Sequence, residues 1–207
     1  MPRPRLTEEE ITATRSRILD AALTILHEEG MGALSMRAIA ERVGMSPMAL
    51  YTYFENRDDL LHALREHHRR VLNARYADAL ARARDGDVVR VTAEVLAGYV
   101  SFARRNPHIF RLLWCTQPES TPDDDCPRGR GVQELLEHLA QLIALGIERG
   151  VFTERDPLFA ARLAFGMIHG PLLLSLVPGA VDASTLEQLE TEIVEAAIGY
   201  LTVQENG

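Results

Sequence analysis

Apolar residues recur at the helical period along almost the whole chain. Ile18, Ala22, Ile25 and Leu26 follow i, i+4, i+7, i+8, one buried face of a helix that stops at Gly30 and Gly32. Further amphipathic runs cover 60–80, 88–104, 107–114, 132–148, 157–177 and 184–203. No alternating β-branched run of strand length competes with them, so the pattern predicts an all-α fold. Breaks fall at Asp85-Gly86-Asp87, at Asn106-Pro107, at Gly150 and at Pro178-Gly179. The longest predicted loop is 117–131, rich in Pro, Asp and Gly.

Composition agrees with a folded chain: of 207 residues, 46% are apolar and 25% charged. The longest apolar patch, Pro171 to Pro178, is far shorter than a spanning helix needs, which argues against a membrane partner. Met1-Pro2-Arg3-Pro4-Arg5 is basic, but Thr7-Glu8-Glu9-Glu10 follows where a signal peptide would place its apolar region; the expected location is the cytoplasm. All 22 basic residues are Arg, against 30 acidic ones, for a net charge of −8. The imbalance lies beyond residue 70, leaving the N-terminal part near neutral and able to meet phosphates through local patches. The two cysteines, Cys115 and Cys126, do not suggest a structural disulfide in that compartment.

The informative stretch runs from Leu34 to Phe54. Ser35 suits an N-cap, with Leu34 and Ile39 as a hydrophobic staple, and Gly44 suits the left-handed residue that ends the helix. A second start follows at once, with Ser46 as cap, Pro47 at the first helical position, and Met45 and Leu50 as staple. Two short capped helices joined by a tight glycine turn make a helix-turn-helix, although an ordinary αα-corner would show the same caps. The second helix is too short for a core helix and exposes Pro47, Met48, Thr52 and Tyr53; entry into a major groove would explain it.

The residues that follow separate the two. Leu50-Tyr51-Thr52-Tyr53-Phe54-Glu55-Asn56-Arg57-Asp58-Asp59-Leu60-Leu61 resembles the Tyr-x-x-Phe-x-x-Lys-x-x-Leu signature that closes the DNA-binding domain of TetR-family transcriptional regulators. The preceding Leu-Ser-x-x-x-Ile-Ala-x-x-x-Gly-x-Ser pattern is similar to the same family, and together these cover about residues 14–62. The resemblance implies a homodimeric repressor: a three-helix helix-turn-helix domain over 1–62, then a helical effector-binding and dimerisation domain over 63–207. It also implies double-stranded operator DNA, palindromic for a dimer, and a small, largely apolar effector as partners. Carried over by position, Arg37 falls on a base- or phosphate-contacting site, and Ser46, Pro47, Met48 and Ala49 open the recognition helix. Tyr51 and Tyr53 match positions against the DNA backbone. Arg57 stands where the family has Lys, beside Asn56 as helix cap, and keeps the phosphate-neutralising charge. No Asn, Gln, Arg or Lys lies between Ser46 and Thr52, which favours apolar contact of Met48 and Ala49 with thymine methyls, plus Arg37 on a guanine. Arg3 and Arg5 are either a minor-groove arm or a solvated terminus.

Phe159, Leu163, Gly166, Gly170, Leu173 and Val177 step by 4 and 3, as do Leu186, Leu189, Ile193, Ala196, Tyr200 and Val203. Intrachain packing would give the same pattern. The family resemblance makes these seams the dimer interface, a four-helix bundle across a twofold axis. Residues 103–113 and Phe165-Gly166-Met167-Ile168-His169-Gly170 resemble a C-terminal subgroup with a Trp-x-x-x-His-Gly motif, Phe165 standing for the Trp. An effector pocket would draw on Tyr99, Phe102, Phe110, Leu113, Trp114, Leu139, Ile143, Met167 and His169, although aromatic stripes at this spacing more often build core. Pro171 frees a carbonyl within its helix, where a kink could shape a cavity.

Cys115, Cys126, His108, His138 and His169 match no compact zinc spacing, so no metal or other cofactor is expected; Cys126, in the acidic loop, is the candidate for oxidation. Gly-x-Ser-x-Gly, Gly-Lys-Ser/Thr and His-Glu-x-x-His are absent. The alternatives to a repressor are an activator or a redox- or metal-responsive sensor on the same scaffold, and an all-α enzyme using a Cys–His pair. The expected mechanism sets two recognition helices about 34–36 Å apart, with the helix over 56–82 as the lever that an effector moves.

Overall fold

The structure, a computed structural model, describes residues 7–115 and 127–202, without the side chains of 127–130, 183, 186 and 190. The described residues form α1 Glu8–Glu29, α2 Met36–Val43, α3 Pro47–Leu50, α4 Arg57–Asp85, α5 Val88–Arg105, α6 Pro107–Trp114, α7 Pro127–Glu148, α8 Pro157–Leu174 and α9 Ala183–Leu201. Their one non-helical pairing is an isolated antiparallel bridge between Phe152 and Thr202. The all-α expectation holds. Arg3, Arg5, residues 117–126 with Cys126, Val203 and the side chain of Leu186 lie outside what is described.

Two compact units emerge: 7–68 with 108–115, and 69–107 with 127–202. α4 supplies its first turns to one and the remainder to the other. In the first unit, Ile18, Ala22, Ile25 and Leu26 of α1 meet Ile39 and Ala40 of α2, Leu50 of α3, Phe54, and Leu60, Leu61 and Leu64 of α4. Leu112 of α6 joins this core. α1 begins at a capping box in which Thr7 and Glu10 satisfy each other's backbone N–H. It ends at Gly30, whose φ of 81° and contact with the His108 ring leave no room for a side chain.

In the second unit α8 packs on α7 and α9, and α5 packs on α7, α8 and α9. α7 begins at Pro127, five residues before the apolar period, so part of the predicted loop is helical. Gly146 is where the Phe152 ring folds back: a Cβ there would meet Phe152 Cδ2 at 2.0 Å. Arg149 donates to the carbonyls of Ala83, Arg84 and Gly86, closing the end of α4. α8 runs through Pro171 and ends at Leu174, before the predicted Val177.

Candidate DNA-reading face, cavity and apolar stripe

Local hydrogen bonds set the geometry of α2 and α3. Ser35 Oγ accepts from Ala38 N at 3.1 Å, and Gly44 takes the left-handed conformation at φ 73°, ψ 33°. Ser46 Oγ accepts from Ala49 N at 3.2 Å with Pro47 following it, so α3 starts three residues after α2's glycine stop. Leu50 and Phe54 are fully buried and hold α3 down. That leaves Ser46, Pro47, Met48, Tyr51 and Thr52 exposed, Met48 at 78% and Tyr51 at 48%. Ala49 and Tyr53 are half-buried, and Tyr53 packs on the core. A bare Met on a four-residue helix is poor design for a core and good design for a groove.

Arg37 is exposed in the first turn of α2. Arg57 is exposed as well, and its Nε donates to Leu34 O at 3.3 Å, fixing the side chain beside the start of α2. Asn56 Oδ1 caps α4 by accepting from Asp59 N at 2.8 Å, and Asp59 Oδ2 accepts from Glu55 N at 3.0 Å. One residue that sequence reasoning missed is Arg15. Its guanidinium lies 4.1 Å from the Phe54 ring centroid and donates to Tyr53 O, clamping the end of the recognition element onto α1. The signal was its place three residues before Ile18, on the buried face of α1.

In the second unit a cavity of about 560 Å³ opens between α4 and α5. Leu72, Tyr76 and Ala79 of α4 and Val95, Tyr99 and Phe102 of α5 line it, with Gly98 bare beside them. Val71, Arg75, Asp78, Arg82 and Glu94, all exposed, form its mouth. Of the residues expected in a pocket, Tyr99 and Phe102 are therefore together at this cavity. His169 lies behind it, with Nδ1 at 2.8 Å from Tyr99 Oη, and stacks on Phe165 at 4.9 Å. Leu139 and Ile143 are buried core, and Met167 is exposed on α8. Phe110, Leu113 and Trp114 fall in the other unit with α6. Tyr76, Val71 and Leu72 escaped sequence reading because their stretch of α4 is dense in charge, which masks an apolar inner stripe. Burial drives His169 down to about 4, so its ring is neutral at pH 7, and pushes the Tyr76 and Tyr99 phenols upward. Among the described residues no group of three or more His, Cys, Asp or Glu could hold a metal.

α8 turns Ala160, Ala161, Ala164, Ile168 and Leu172 inward. Its opposite side carries Phe159, Leu163, Gly166, Gly170 and Leu173, every one exposed, Phe159 at 54% and Leu163 at 41%, and Val177, also exposed, lies just past the helix end. Among the described residues α8 alone is long and apolar enough to cross a membrane, with mean hydropathy 1.4; Arg162 and His169 interrupt the run that the sequence reading required to be unbroken. On α9, Ile193 is buried within the chain beside Ala197 and Leu201, Leu189 is half-buried and Ala196 exposed. Tyr200 is half-buried beneath the Arg155 guanidinium, 4.3 Å from the ring centroid.

A capped helix-turn-helix that bares its second helix, joined to a helical unit with its own cavity, defines a DNA-binding transcription regulator. Residues 18–64 match the model for bacterial regulatory proteins of the tetR family, and 92–198 match the tetracyclin repressor-like C-terminal domain. The chain belongs to the tetR family of bacterial regulatory proteins. It is a regulator rather than an enzyme, from a family whose members typically bind DNA and small ligands as homodimers. It is 28% identical over 111 residues to the nucleoid occlusion factor SlmA of Haemophilus influenzae, covering 53% of this chain and 50% of that protein. The chain thus spans about half the length of the curated relatives it matches. Among solved structures it is similar in fold to SmeT, the repressor of the Stenotrophomonas maltophilia multidrug efflux pump SmeDEF, with 20% identity, TM-score 0.72, and 94% and 93% of the two chains covered. It is also similar to FadR from Bacillus subtilis in complex with stearoyl-CoA, with 19% identity, TM-score 0.71, and coverage of 89% and 98%.

Proposed function

We propose that this protein is a cytoplasmic, dimeric repressor that leaves a palindromic operator when a small, largely apolar effector fills the α4–α5 cavity. The observation that carries the DNA reading is the exposed α3: a four-residue helix held by Leu50 and Phe54 with Met48, Tyr51 and Thr52 bare. Met48 and Ala49 meet thymine methyls, Arg37 reads or neutralises at the groove edge, and Arg57, with Tyr51 and Tyr53, positions the backbone. The exposed 4,3-spaced seam on α8 pairs copies across a twofold axis; of the α9 seam, Ile193 is taken up by the chain's own core and Ala196 stays open. On α8 the small Gly166 and Gly170 let a second helix approach closely, which suits another copy of this chain better than a bilayer. SmeT is a repressor and FadR binds stearoyl-CoA, both on this fold, which supports repression governed by a ligand. Phe165 stacked on His169 plays the part of the Trp in a Trp-x-x-x-His-Gly motif. An effector worth 1–3 kcal/mol of coupling would weaken operator binding about 5- to 150-fold.

Selection of the purified protein against a random duplex library tests this reading. A palindromic site bound by two chains is the expected result. Enrichment of no sequence by protein refolded free of ligand would overturn it.

A further inference from the structure

We infer that the effector is an organic carboxylate with an apolar body, its head held by Arg75 and Tyr76 and its body lying along α5; this rests on reading the α4–α5 cavity as the effector site. Two donors that line the cavity have no hydrogen-bond or ion-pair partner among the described residues, and they are consecutive on α4. Tyr76 is 7% exposed, its ring held by stacking on His138 at 5.6 Å and 15°, and among the described residues its hydroxyl has no hydrogen-bond partner. That hydroxyl is not sealed from solvent, so a ligand in the cavity can reach it. Arg75 stands at the mouth with its guanidinium unpaired. Both line the one cavity a single step of about 1.5 Å apart along α4, Arg75 at its mouth and Tyr76 further in. A carboxylate offers about four lone-pair sites and accepts from both.

The other charges at the mouth are already matched. Arg82 bonds Asp78 at 3.0 Å and Glu94 at 2.7 Å, and Glu94 also bonds Arg90. A cationic ligand would have to displace guanidinium from those carboxylates, whereas an anion meets an open one. Inside, the floor is neutral: burial keeps the phenols protonated, and the Tyr99–His169 pair is uncharged at pH 7. The charged head therefore belongs at the Arg75 level and the apolar body beneath it. From Val71 to Arg82 the mouth runs eleven residues of α4, about 16 Å, which suits a medium-length chain.

Isothermal titration of the full chain with decanoate, decan-1-ol and decylamine compares three head groups on one tail. Decanoate is expected to bind tightest. Arg75→Gln and Tyr76→Phe should each weaken it by about tenfold, the weight of one charge-assisted hydrogen bond, while decanol ignores Arg75→Gln. Gly98→Phe, entering space where a Cβ meets nothing within 4 Å, should remove all three ligands with helicity intact. Decylamine or decanol binding as tightly as decanoate, or decanoate indifferent to Arg75→Gln, would overturn the carboxylate while Gly98→Phe still marked the cavity as the site. Binding of none of the three, or binding that survives Gly98→Phe, would overturn the effector cavity and the carboxylate with it.

Discussion

Replacing Phe159 and Leu163 by Glu removes the centre of the exposed stripe on α8. With 54% of a Phe side chain open, roughly 100 Å² of aromatic surface is left for a partner to cover. At about 25 cal/mol per Å² that is ~2.5 kcal/mol, and a twofold interface counts it twice, for ~5 kcal/mol. Since 1.4 kcal/mol is about tenfold, the Phe159→Glu change alone predicts more than a thousandfold weaker dimer, before the cost of burying a carboxylate. Sedimentation velocity at micromolar concentration reads the mass, and far-UV circular dichroism reads the helix. The expected result is a dimeric wild type and a monomeric, fully helical variant, because both side chains face away from their own core. Gly166→Leu provides a second variant: nothing in the chain lies within 4 Å of its Cβ, so only a second copy would resist it. Ile193→Glu should behave differently and lose fold, since Ile193 is buried within the chain. A doubly substituted variant that stays helical and still sediments as a dimer would refute the assignment of the α8 stripe.

Four further outcomes follow from the same structure. Arg57→Ala should weaken DNA binding about equally across sequences and reduce the salt slope by about 1 per chain in anisotropy titrations; an unchanged slope removes its phosphate role. Gly146→Ala should lower the thermal midpoint, because its Cβ would lie 2.0 Å from the buried Phe152 ring, an overpacking cost of ~1–3 kcal/mol. Gly98→Ala should instead raise stability by about 0.5–1 kcal/mol, since it replaces a helix-interior glycine with open space beside it. Urea unfolding should show stability falling with acid: His169, at about 4 when folded and near 6.5 when unfolded, favours the folded state above pH 6.5 and loses that contribution as pH drops toward 4. His169→Gln should flatten that dependence.

What could be read from the chain follows the range of the interactions involved. Caps are local, so Ser35, Gly44, Ser46-Pro47 and Asn56 located the ends of α2 and α3 and the start of α4. The stripe on α8 is periodic, so its members were legible as a set, while the pattern itself gave no partner. α6 carries an aromatic spacing that reads as a pocket wall. Its Leu112 goes into the helix-turn-helix core, a contact across some fifty residues of chain that no local pattern announces. The α9 seam divided for a related reason. Ile193, Ala197 and Leu201 follow the four-residue spacing that packs against the chain itself, and among the described residues of the predicted seam only Ala196 is exposed. Tyr76 stayed hidden because a charged stretch of α4 shows solvated residues on one side and an apolar stripe only once α5 is beside it.

The central claim is that two copies of this chain read DNA through α3 while neutralising phosphates at its flanks. Anisotropy titration of the selected duplex at several salt concentrations tests it most directly. Steeply falling affinity with salt, about 0.9 log units per log unit for each phosphate contacted, is predicted together with two chains per duplex and loss of preference when Met48 is changed to Glu. Equal affinity for a scrambled duplex, or binding that does not move with salt, would contradict the account.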